Sequence, residues 1–424
     1  MGNDKEIALF HDRIAKDMGI VSSRNAVNMI FTSLGGHYMN LLQKTSDAVN
    51  PVRKNGSIVD TRKHLMFIRP PGFGKTMMLK GLLYDVLPEE TKYTSHPDTG
   101  NRIETSTFQN ILTEAGFTGT VRGNGNMVEN VEGIAARCNR GFVVVEEFSA
   151  ILESFSQTHS SNFEQALLMA LDSGRVTKSL ANGTISYDTN LTLAAGIQPT
   201  KMVDASSGLM RRFLVEYCIP SAEASKNIVA ASRNAWLEQD KNDNAMDLKR
   251  DLQAYIKTEV MNQTYNSITY EHDKLFKLFD TFGMPAGIES DIYMQAAIAY
   301  NYFVGNIEDN TIVVKLNKDL ENMLTVDFVS RYLLSFNMHA IVLLVILKNM
   351  RNEGIASIKL VDILEASNAY QMNSQQITYA LKSLEDMSII TKMKIKQSDV
   401  YSITNDVFFD KIVNRLDAIQ KAMV

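Results

Sequence analysis

The segment Arg69–Thr76, with the sequence RPPGFGKT, constrains what this chain can fold into more than any other segment. An apolar strand pattern at Leu65–Ile68 precedes it, and a helical pattern at Met77–Leu83 follows it. Glycines let backbone N–H groups curl around a phosphate, and the first turn of a helix adds a favourable field for the anion. A strand, a loop and a helix in this order predict a phosphate-binding loop within an α/β domain.

The polar residues of this loop have expected roles. Lys75 would reach the β- and γ-phosphates of ATP, and the Thr76 hydroxyl would hold Mg²⁺. Such loops usually begin with glycine, and Arg69 stands in that place here. The alternative is a chance Gly-Lys-Thr in a turn, which the flanking strand and helix disfavour. The residues expected to bind the nucleotide are Pro71, Gly72, Phe73, Gly74, Lys75, Thr76 and, from a later strand, Glu146.

An apolar run that ends in two carboxylates supplies the second half of an ATPase site. Residues Gly141–Val145 read as a buried strand, and Glu146 and Glu147 follow it. Glu146 takes the position that supports Mg²⁺, where Asp is more common, and Glu147 is the candidate general base for the attacking water. The alternative, a strand that ends in exposed acids by chance, is the minor interpretation downstream of a phosphate loop.

Two further polar positions suit ATP hydrolysis. Gln198 follows the strand pattern Leu191–Ala195, where it would orient the lytic water or contact the γ-phosphate; a strand-end amide without a role is an equal alternative. Arg211 and Arg212 precede the core strand Leu214–Tyr217. A guanidinium here suits an arginine finger, supplied by one subunit to the ATP of its neighbour, and ordinary surface arginines are the alternative.

Composition limits the classes of protein to which the chain can belong. It has 424 residues, 45% of them hydrophobic, and a formal net charge of −5, which is typical of a globular protein with two to four domains. Nucleic-acid contact must therefore come from local basic elements. The two cysteines lack the spacing of a disulfide framework or a zinc site. Without a signal peptide or an apolar run long enough for a bilayer, we expect a soluble intracellular protein with no membrane contact.

The patterns along the chain divide it into four parts. Residues 1–60 read as a helical segment, and residues 61–220 alternate strands with helices, which predicts a three-layer α/β core with a parallel sheet. Residues 221–352 show helical periodicity. Residues 353–424 read as helices followed by a two-stranded hairpin, the pattern of a winged helix-turn-helix, and a C-terminal helix.

The order and local sequence of several segments resemble AAA+ ATPases, and more specifically the ATPase domain of minichromosome-maintenance replicative helicases. The resemblance covers residues 60–220 and departs from the family at Arg69, Glu146 and Gln198, where Gly, Asp and Asn are usual. Similar short ATPases are encoded by viruses and plasmids. The segments that carry the resemblance are the phosphate loop, Gly116–Arg122, Val128–Ala136, Glu147-Phe148, Arg175–Tyr187 and Gly208–Phe213.

This resemblance implies a P-loop NTPase core with a helical lid in residues 221–352 and a hexameric ring with ATP between subunits. It implies an insertion hairpin with a short tip at Asn124–Asn126. A second hairpin, with an Asn182-Gly183 tip, would project into the pore, where Lys178 and Arg175 would grip DNA. Ordinary solvated charge is the alternative for these two cations. In the family's finger segment Arg212 is a better match than Arg211, and no sensor 2 arginine stands out, Arg331 being a weak candidate.

The expected function is an ATP-hydrolysing DNA helicase or translocase of DNA replication. The alternative is an ATP-switched initiator or helicase loader that unwinds nothing, and a remodeller of protein complexes is a third interpretation. The winged helix would read DNA through Ser374–Met387, or dock on replication proteins, because Glu385 and Asp386 lie on the same helix. Lys392, Lys394 and Lys396 on the wing would contact phosphates or form a solvated strand face.

Overall fold

The structure of the protein is a computed structural model, and it describes most of the chain. The described ranges are 4–21, 23–45, 60–124, 127–155, 161–172, 174–180, 183–199, 207–218, 222–237, 241–282, 289–333, 338–355, 357–368, 372–386, 389–395, 398–404, 409–410 and 412–414. Within them, no helix combines the length and the apolar character needed to cross a membrane.

Helices and strands alternate through the first half of the chain and helices dominate the second half. The strands are β1 (His64–Ile68), β2 (Tyr93–Ser95), β3 (Arg102–Glu104), β4 (Thr107–Ile111), β5 (Gly119–Asn124), β6 (Met127–Glu132), β7 (Phe142–Glu147), β8 (Arg175–Leu180), β9 (Gly183–Asp188), β10 (Thr192–Ile197), β11 (Phe213–Tyr217), β12 (Ser267–Tyr270), β13 (Ile307–Glu308), β14 (Thr311–Val314), β15 (Ile358–Lys359), β16 (Ile390–Ile395) and β17 (Ser398–Ile403).

The helices are α1 (Asp4–Asp17), α2 (Arg24–Thr45), α3 (Met77–Tyr84, of π type), α4 (Glu89–Lys92), α5 (Glu114–Thr118), α6 (Ile134–Arg137), α7 (Ser149–Phe155), α8 (Ser161–Leu171), α9 (Ser207–Met210), α10 (Ala222–Leu237), α11 (Lys241–Tyr255), α12 (His272–Phe282), α13 (Gln295–Phe303), α14 (Lys318–Leu333), α15 (Met338–Asn352), α16 (Leu360–Asn368) and α17 (Ser374–Asp386). Short π-helical segments, Ile256–Val260 and Glu289–Met294, continue α11 and precede α13.

A five-stranded parallel sheet with the strand order β11-β1-β10-β7-β4 forms the centre of the molecule. Strand β1 is buried along its whole length, as parallel strands covered on both faces are. Its side chains alternate between two cores: Met66 and Ile68 pack into one, and Leu65 and Phe67 into the other. The predicted α/β core with helices on both faces of a parallel sheet is confirmed.

Helix α14 covers the outer edge of this sheet, along the terminal strand β11. The backbone N–H of Val215 donates to Asp327 Oδ1 at 2.7 Å, and that of Tyr217 donates to Ser330 Oγ at 2.9 Å. Unpaired N–H groups at a sheet edge would otherwise invite pairing with another chain. Side chains of α14 therefore take the place of a sixth strand.

Residues 221–352 contain a small sheet that helical periodicity did not predict. Strands β12 and β14 pair in parallel, and β13 pairs with β14 in antiparallel fashion. The turn between β13 and β14 places Asp309 and Asn310 at φ 48° and 59°, in the left-handed region that these two residue types tolerate. With only two to four residues each, these strands are too short to produce a readable alternation.

Two hairpins extend from the central domain where the sequence predicts them. Strands β5 and β6 pair from Gly119–Glu132 to Asn124–Met127, and β8 pairs with β9 from Arg175–Asp188 to Leu180–Gly183. The tip residues Gly125, Asn126 and Asn182 lie outside the described residues. Near the end of the chain, β15, α16, α17 and the β16–β17 hairpin also follow the predicted order of elements.

On that last hairpin, Lys392 Nζ lies 2.8 Å from Asp399 Oδ2 and Lys394 is exposed. Lys396 lies outside the described residues.

Candidate active site

The phosphate loop and its acidic partners meet at one edge of the central sheet. The loop follows β1, Glu146 and Glu147 end β7, and Gln198 follows β10, which lies between the other two strands. Because the three strands are parallel neighbours, their carboxyl ends lie side by side. The fold therefore brings together five of the polar residues that the sequence analysis assigned to ATP chemistry, namely Lys75, Thr76, Glu146, Glu147 and Gln198.

The loop has the backbone conformation that its glycines allow. Gly72 has φ 82° and Gly74 has φ 76°, values that a side chain would disfavour. The N–H of Phe73 donates to the carbonyl of Pro70 at 3.3 Å, which closes the turn. Pro71 and Gly72 are exposed, so the rim of the loop faces solvent.

Glu147 is the centre of the hydrogen-bond network at this edge. Lys75 Nζ lies 3.0 Å from Glu147 Oε2, and Gln198 Nε2 donates to the same oxygen at 3.3 Å. The other oxygen, Oε1, accepts from Ser149 Oγ at 2.7 Å. The side chains of Lys75 and Glu147 are 13% and 19% exposed, so a small ligand can still reach them.

Thr76 and Glu146 form a second polar pair beside the first. The Thr76 hydroxyl donates to the Glu146 carboxylate. Hydroxyl and carboxylate oxygens are ligands that Mg²⁺ accepts, with water and phosphate oxygens completing its octahedron. No group of three or more His, Cys, Asp or Glu residues suited to a metal occurs in the described ranges, so a cation here would need those further oxygens.

Gly196 in β10 permits the close approach of these elements. A Cβ atom at this position would lie 2.6 Å from the Glu146 carbonyl oxygen and 2.7 Å from Lys75 Cδ. The Gly196 carbonyl also accepts from the N–H of Phe148 at 2.8 Å. Only a residue without a side chain fits where the ends of β7 and β10 meet the lysine.

Arg69, in the place of the usual first glycine, lies beneath the loop and is buried. Its Nε and Nη2 atoms donate to the two carboxylate oxygens of Glu216 at 2.7 and 2.6 Å. Its Nη1 atom donates to the Phe73 carbonyl at 2.8 Å and to Ser23 Oγ at 3.2 Å. Burial raises the pKa of the nearby Cys218 thiol to about 12, so this thiol stays neutral at physiological pH.

A cavity of about 600 Å³ adjoins the loop. Most of its lining comes from three parts of the chain that are distant in sequence. One wall is residues 15–21 and Ser23, a second is the loop itself from Gly72 to Gly74, and a third is Ile228, Ala231 and Ser232 of α10. A cavity beside a phosphate loop is suited to the remainder of a nucleotide.

The two candidate finger arginines have different surroundings. Arg212 donates from Nε to Asp172 Oδ1 at 2.6 Å and from Nη1 to the Gly208 carbonyl, whereas Arg211 is exposed. Arg331 of α14 donates to the carbonyls of Met210 and Phe213, which flank the arginine pair, and to Asp327. Arg331 therefore fixes the turn that carries Arg211 and Arg212, and it lies at that turn instead of beside the phosphate loop.

The two candidate DNA contacts lie on β8, away from the loop. Lys178 Nζ lies 2.6 Å from Glu114 Oε1 and 3.3 Å from the Thr118 hydroxyl, so an acidic residue of α5 holds this lysine. Arg175 is exposed and donates to Ser186 Oγ at 2.8 Å within its own hairpin. Arg175 is therefore the more exposed of the two cations, and Lys178 is partly buried.

Sequence reasoning missed the residues that hold these side chains in place. Ser149, Glu216, Asp172 and Glu114 were not singled out. Glu216 alone gave a signal, because a carboxylate inside the apolar run Phe213–Tyr217 requires a buried cationic partner.

No protein-family model matches the chain, and a search of curated proteins gave no match.

Proposed function

We propose that this chain is an ATP-hydrolysing AAA+ motor with a P-loop core, a helical lid in residues 221–352 and a winged helix in residues 353–424. The observation that carries the proposal is the convergence of Lys75, Thr76 and Glu147 at one edge of a parallel sheet, beside an open cavity. A phosphate binder needs the lysine and the loop, but hydrolysis also needs a carboxylate within reach of water.

The geometry indicates how the residues act in turn. Phosphate oxygens compete with Glu147 for the Lys75 ammonium, so ATP binding would release the carboxylate to accept a proton from the attacking water. Ser149 keeps the freed carboxylate in place through Oε1, and Gln198 remains close enough to orient the water. Thr76 and Glu146 would hold Mg²⁺, which would supply positive charge to neutralise the phosphates.

The cavity walls suit the nucleoside part of ATP. Residues 15–21, Ile228 and Ala231 are mostly apolar and would pack on the faces of a purine base. The loop forms one wall of the same cavity, so one ATP molecule could place its base in the cavity and its phosphates on the loop. We infer that α10 closes over the nucleotide as part of the lid.

The position of Arg212 supports assembly from more than one copy. Strand β11 runs parallel to β1 with Phe213 opposite His64 and Tyr217 opposite Ile68. Arg212 therefore lies at the amino end of the sheet, whereas the loop lies at the carboxyl end, and the four residue steps from Phe213 to Tyr217 alone span roughly 13 Å. We propose that Arg212 serves the ATP of a neighbouring subunit in a ring, which we propose to be a hexamer.

Hydrolysis around such a ring would move the hairpin Arg175–Asp188 and translocate DNA, giving helicase activity in replication. A second candidate function is an initiator or helicase loader switched by ATP. The ion pair between Lys178 and Glu114 favours this second function. It neutralises the lysine ammonium that a translocase would use to grip DNA.

An ATPase assay with and without single-stranded DNA, combined with a strand-displacement assay, tests both functions. A translocase shows turnover stimulated by DNA together with strand displacement, and Glu147→Gln abolishes both. A loader binds DNA in an ATP-dependent way and displaces no strand. No ATP turnover under any condition would overturn the proposal of a motor.

A further inference from the structure

We propose that Arg69 is a positioning residue that braces the phosphate loop and the base cavity from beneath through one guanidinium. This inference rests on the proposed nucleotide site and adds a residue to it. Loops of this kind usually have glycine at this position, so the brace is a property of this chain.

The contacts of Arg69 reach three separate elements. The Nε and Nη2 atoms donate to the carboxylate of Glu216 in β11, at the edge of the sheet. The remaining nitrogen, Nη1, reaches upward to the Phe73 carbonyl in the middle of the loop. Its backbone N–H donates to the Ile197 carbonyl of β10 at 3.0 Å, which fixes the base of the side chain.

The fourth contact links the loop to the wall of the cavity. Nη1 also donates to Ser23 Oγ, and Ser23 in turn donates to the Val21 carbonyl at 3.2 Å. Val21 and Ser23 both line the cavity. One side chain thus sets the distance between the wall proposed for the base and the loop proposed for the phosphates.

The two prolines of the loop explain why a side chain is needed here. Pro70 and Pro71 have no N–H group, so neither of these two residues offers a backbone donor that could tie the loop to the sheet. The Arg69 guanidinium supplies N–H donors in their place, and one of them donates to the Phe73 carbonyl of the loop. Lysine could not replace it, because its single ammonium lacks the planar fork that holds Glu216.

Charge balance alone does not account for this arrangement. The side chains of Arg69 and Glu216 are 3% and 2% exposed. A pair buried this deeply can often be replaced by apolar residues of similar volume without loss of stability, whereas removal of one partner is strongly destabilising. The double variant Arg69→Met/Glu216→Leu therefore separates the positioning role from the need to neutralise a buried charge.

The test compares this double variant with the wild-type chain in four measurements. We expect its thermal unfolding temperature to stay close to that of the wild type. We expect its dissociation constant for a fluorescent ATP analogue to rise about tenfold or more, as for the loss of charge-assisted hydrogen bonds. The KM for ATP should rise more than kcat falls, and in the nucleotide-free protein the amides of the loop should exchange hydrogen faster.

Wild-type affinity together with unchanged exchange in the double variant would overturn the inference. If that variant does not fold, Arg69→Lys replaces it: this variant keeps the charge opposite Glu216, and we expect the same weaker binding and faster exchange. A wild-type chain that binds no nucleotide would overturn the proposed function instead. Hydrogen exchange of the loop, measured without nucleotide, would still decide whether Arg69 braces it.

Discussion

The Nζ atom of Lys75 lies 3.0 Å from the Oε2 atom of Glu147, so the proposed phosphate ligand and the proposed general base neutralise each other. This ion pair joins the loop after β1 to the end of β7 across the intervening strand β10. ATP would have to separate the pair before hydrolysis. In the proposed site, phosphate binding and activation of the base would therefore be one event.

Replacing Glu147 with Gln should separate binding from hydrolysis. The amide accepts no proton, so we expect kcat to fall by about 10²- to 10⁴-fold. Without the competing carboxylate, the Lys75 ammonium is available to bind the phosphates. The dissociation constant for ATP should therefore stay the same or fall. Rapid-quench turnover and fluorescence titration measure the two effects.

Lys75→Ala is the matched comparison for that variant, because it removes the other half of the same ion pair. It should lose ATP affinity, whereas Glu147→Gln keeps it. Equal losses of affinity in the two variants would contradict the separate roles assigned to these residues.

Gly196→Ala should damage the site through one methyl group. Its Cβ would lie 2.6 Å from a backbone carbonyl and 2.8 Å from Leu79 Cδ1, so β10 or the loop must shift. We expect a loss of about 1–3 kcal/mol in the free energy of unfolding, together with weaker ATP binding. Gly174→Ala is the control, because its nearest contact would be Met169 O at an ordinary 3.6 Å. Equal unfolding midpoints in urea for the two variants would contradict the argument.

Local patterns in the sequence predicted the elements that carry the site. The apolar run before Arg69 predicted β1, the run before Glu146 predicted β7, and the Asn182-Gly183 pair between β-rich flanks predicted the β8–β9 hairpin. Each of these signals spans fewer than twenty residues. Strand β4 gave no such signal, because the edge strand Thr107–Ile111 mixes apolar and polar residues.

The pairings between distant residues could not be predicted in the same way. Arg69 and Glu216 are 147 positions apart, and Lys75 and Glu147 are 72 apart. Which strands become neighbours depends on how the whole sheet buries its two faces, and no local pattern encodes that choice. The sequence therefore predicted the residue types of the site but not the partners that hold them.

Glu114→Gln should strengthen DNA binding if Lys178 is the gripping residue. Removal of the carboxylate frees the Lys178 ammonium, and a partly exposed ion pair of this kind corresponds to about two- to fivefold in affinity. Fluorescence anisotropy with a labelled single strand measures the change. Lys178→Ala is the control and should abolish stimulation of ATP turnover by DNA. Stimulation that survives Lys178→Ala would contradict the pore-hairpin assignment.

Stability should fall in mild acid because three histidines are buried in neutral form. Burial lowers the pKa of His37 and His64 to about 3 and that of His11 to about 4. Their ordinary value is 6.5, so between these values the unfolded chain binds more protons than the folded chain. The stabilisation is complete above pH 6.5 and decreases as the pH falls, by on the order of 1 kcal/mol per pH unit for each histidine.

Urea unfolding midpoints between pH 7.5 and 5 measure this dependence. His37→Gln removes one of the three titrating rings and should give a shallower slope. The same slope in this variant and in the wild type would contradict the assignment for His37.

Mixed rings should show whether Arg212 acts on a neighbouring subunit. Arg212→Ala alone should lower kcat by about 10³-fold or more with little change in ATP affinity, because a finger acts mainly on the transition state. Subunits with Arg212→Ala keep Glu147, and subunits with Glu147→Gln keep Arg212. Mixing the two inactive variants should therefore restore turnover at interfaces that combine the intact residues. Arg211→Ala, in the exposed neighbour, is the control and should retain activity. If mixing restores nothing although the rings assemble, Arg212 does not serve the adjoining site.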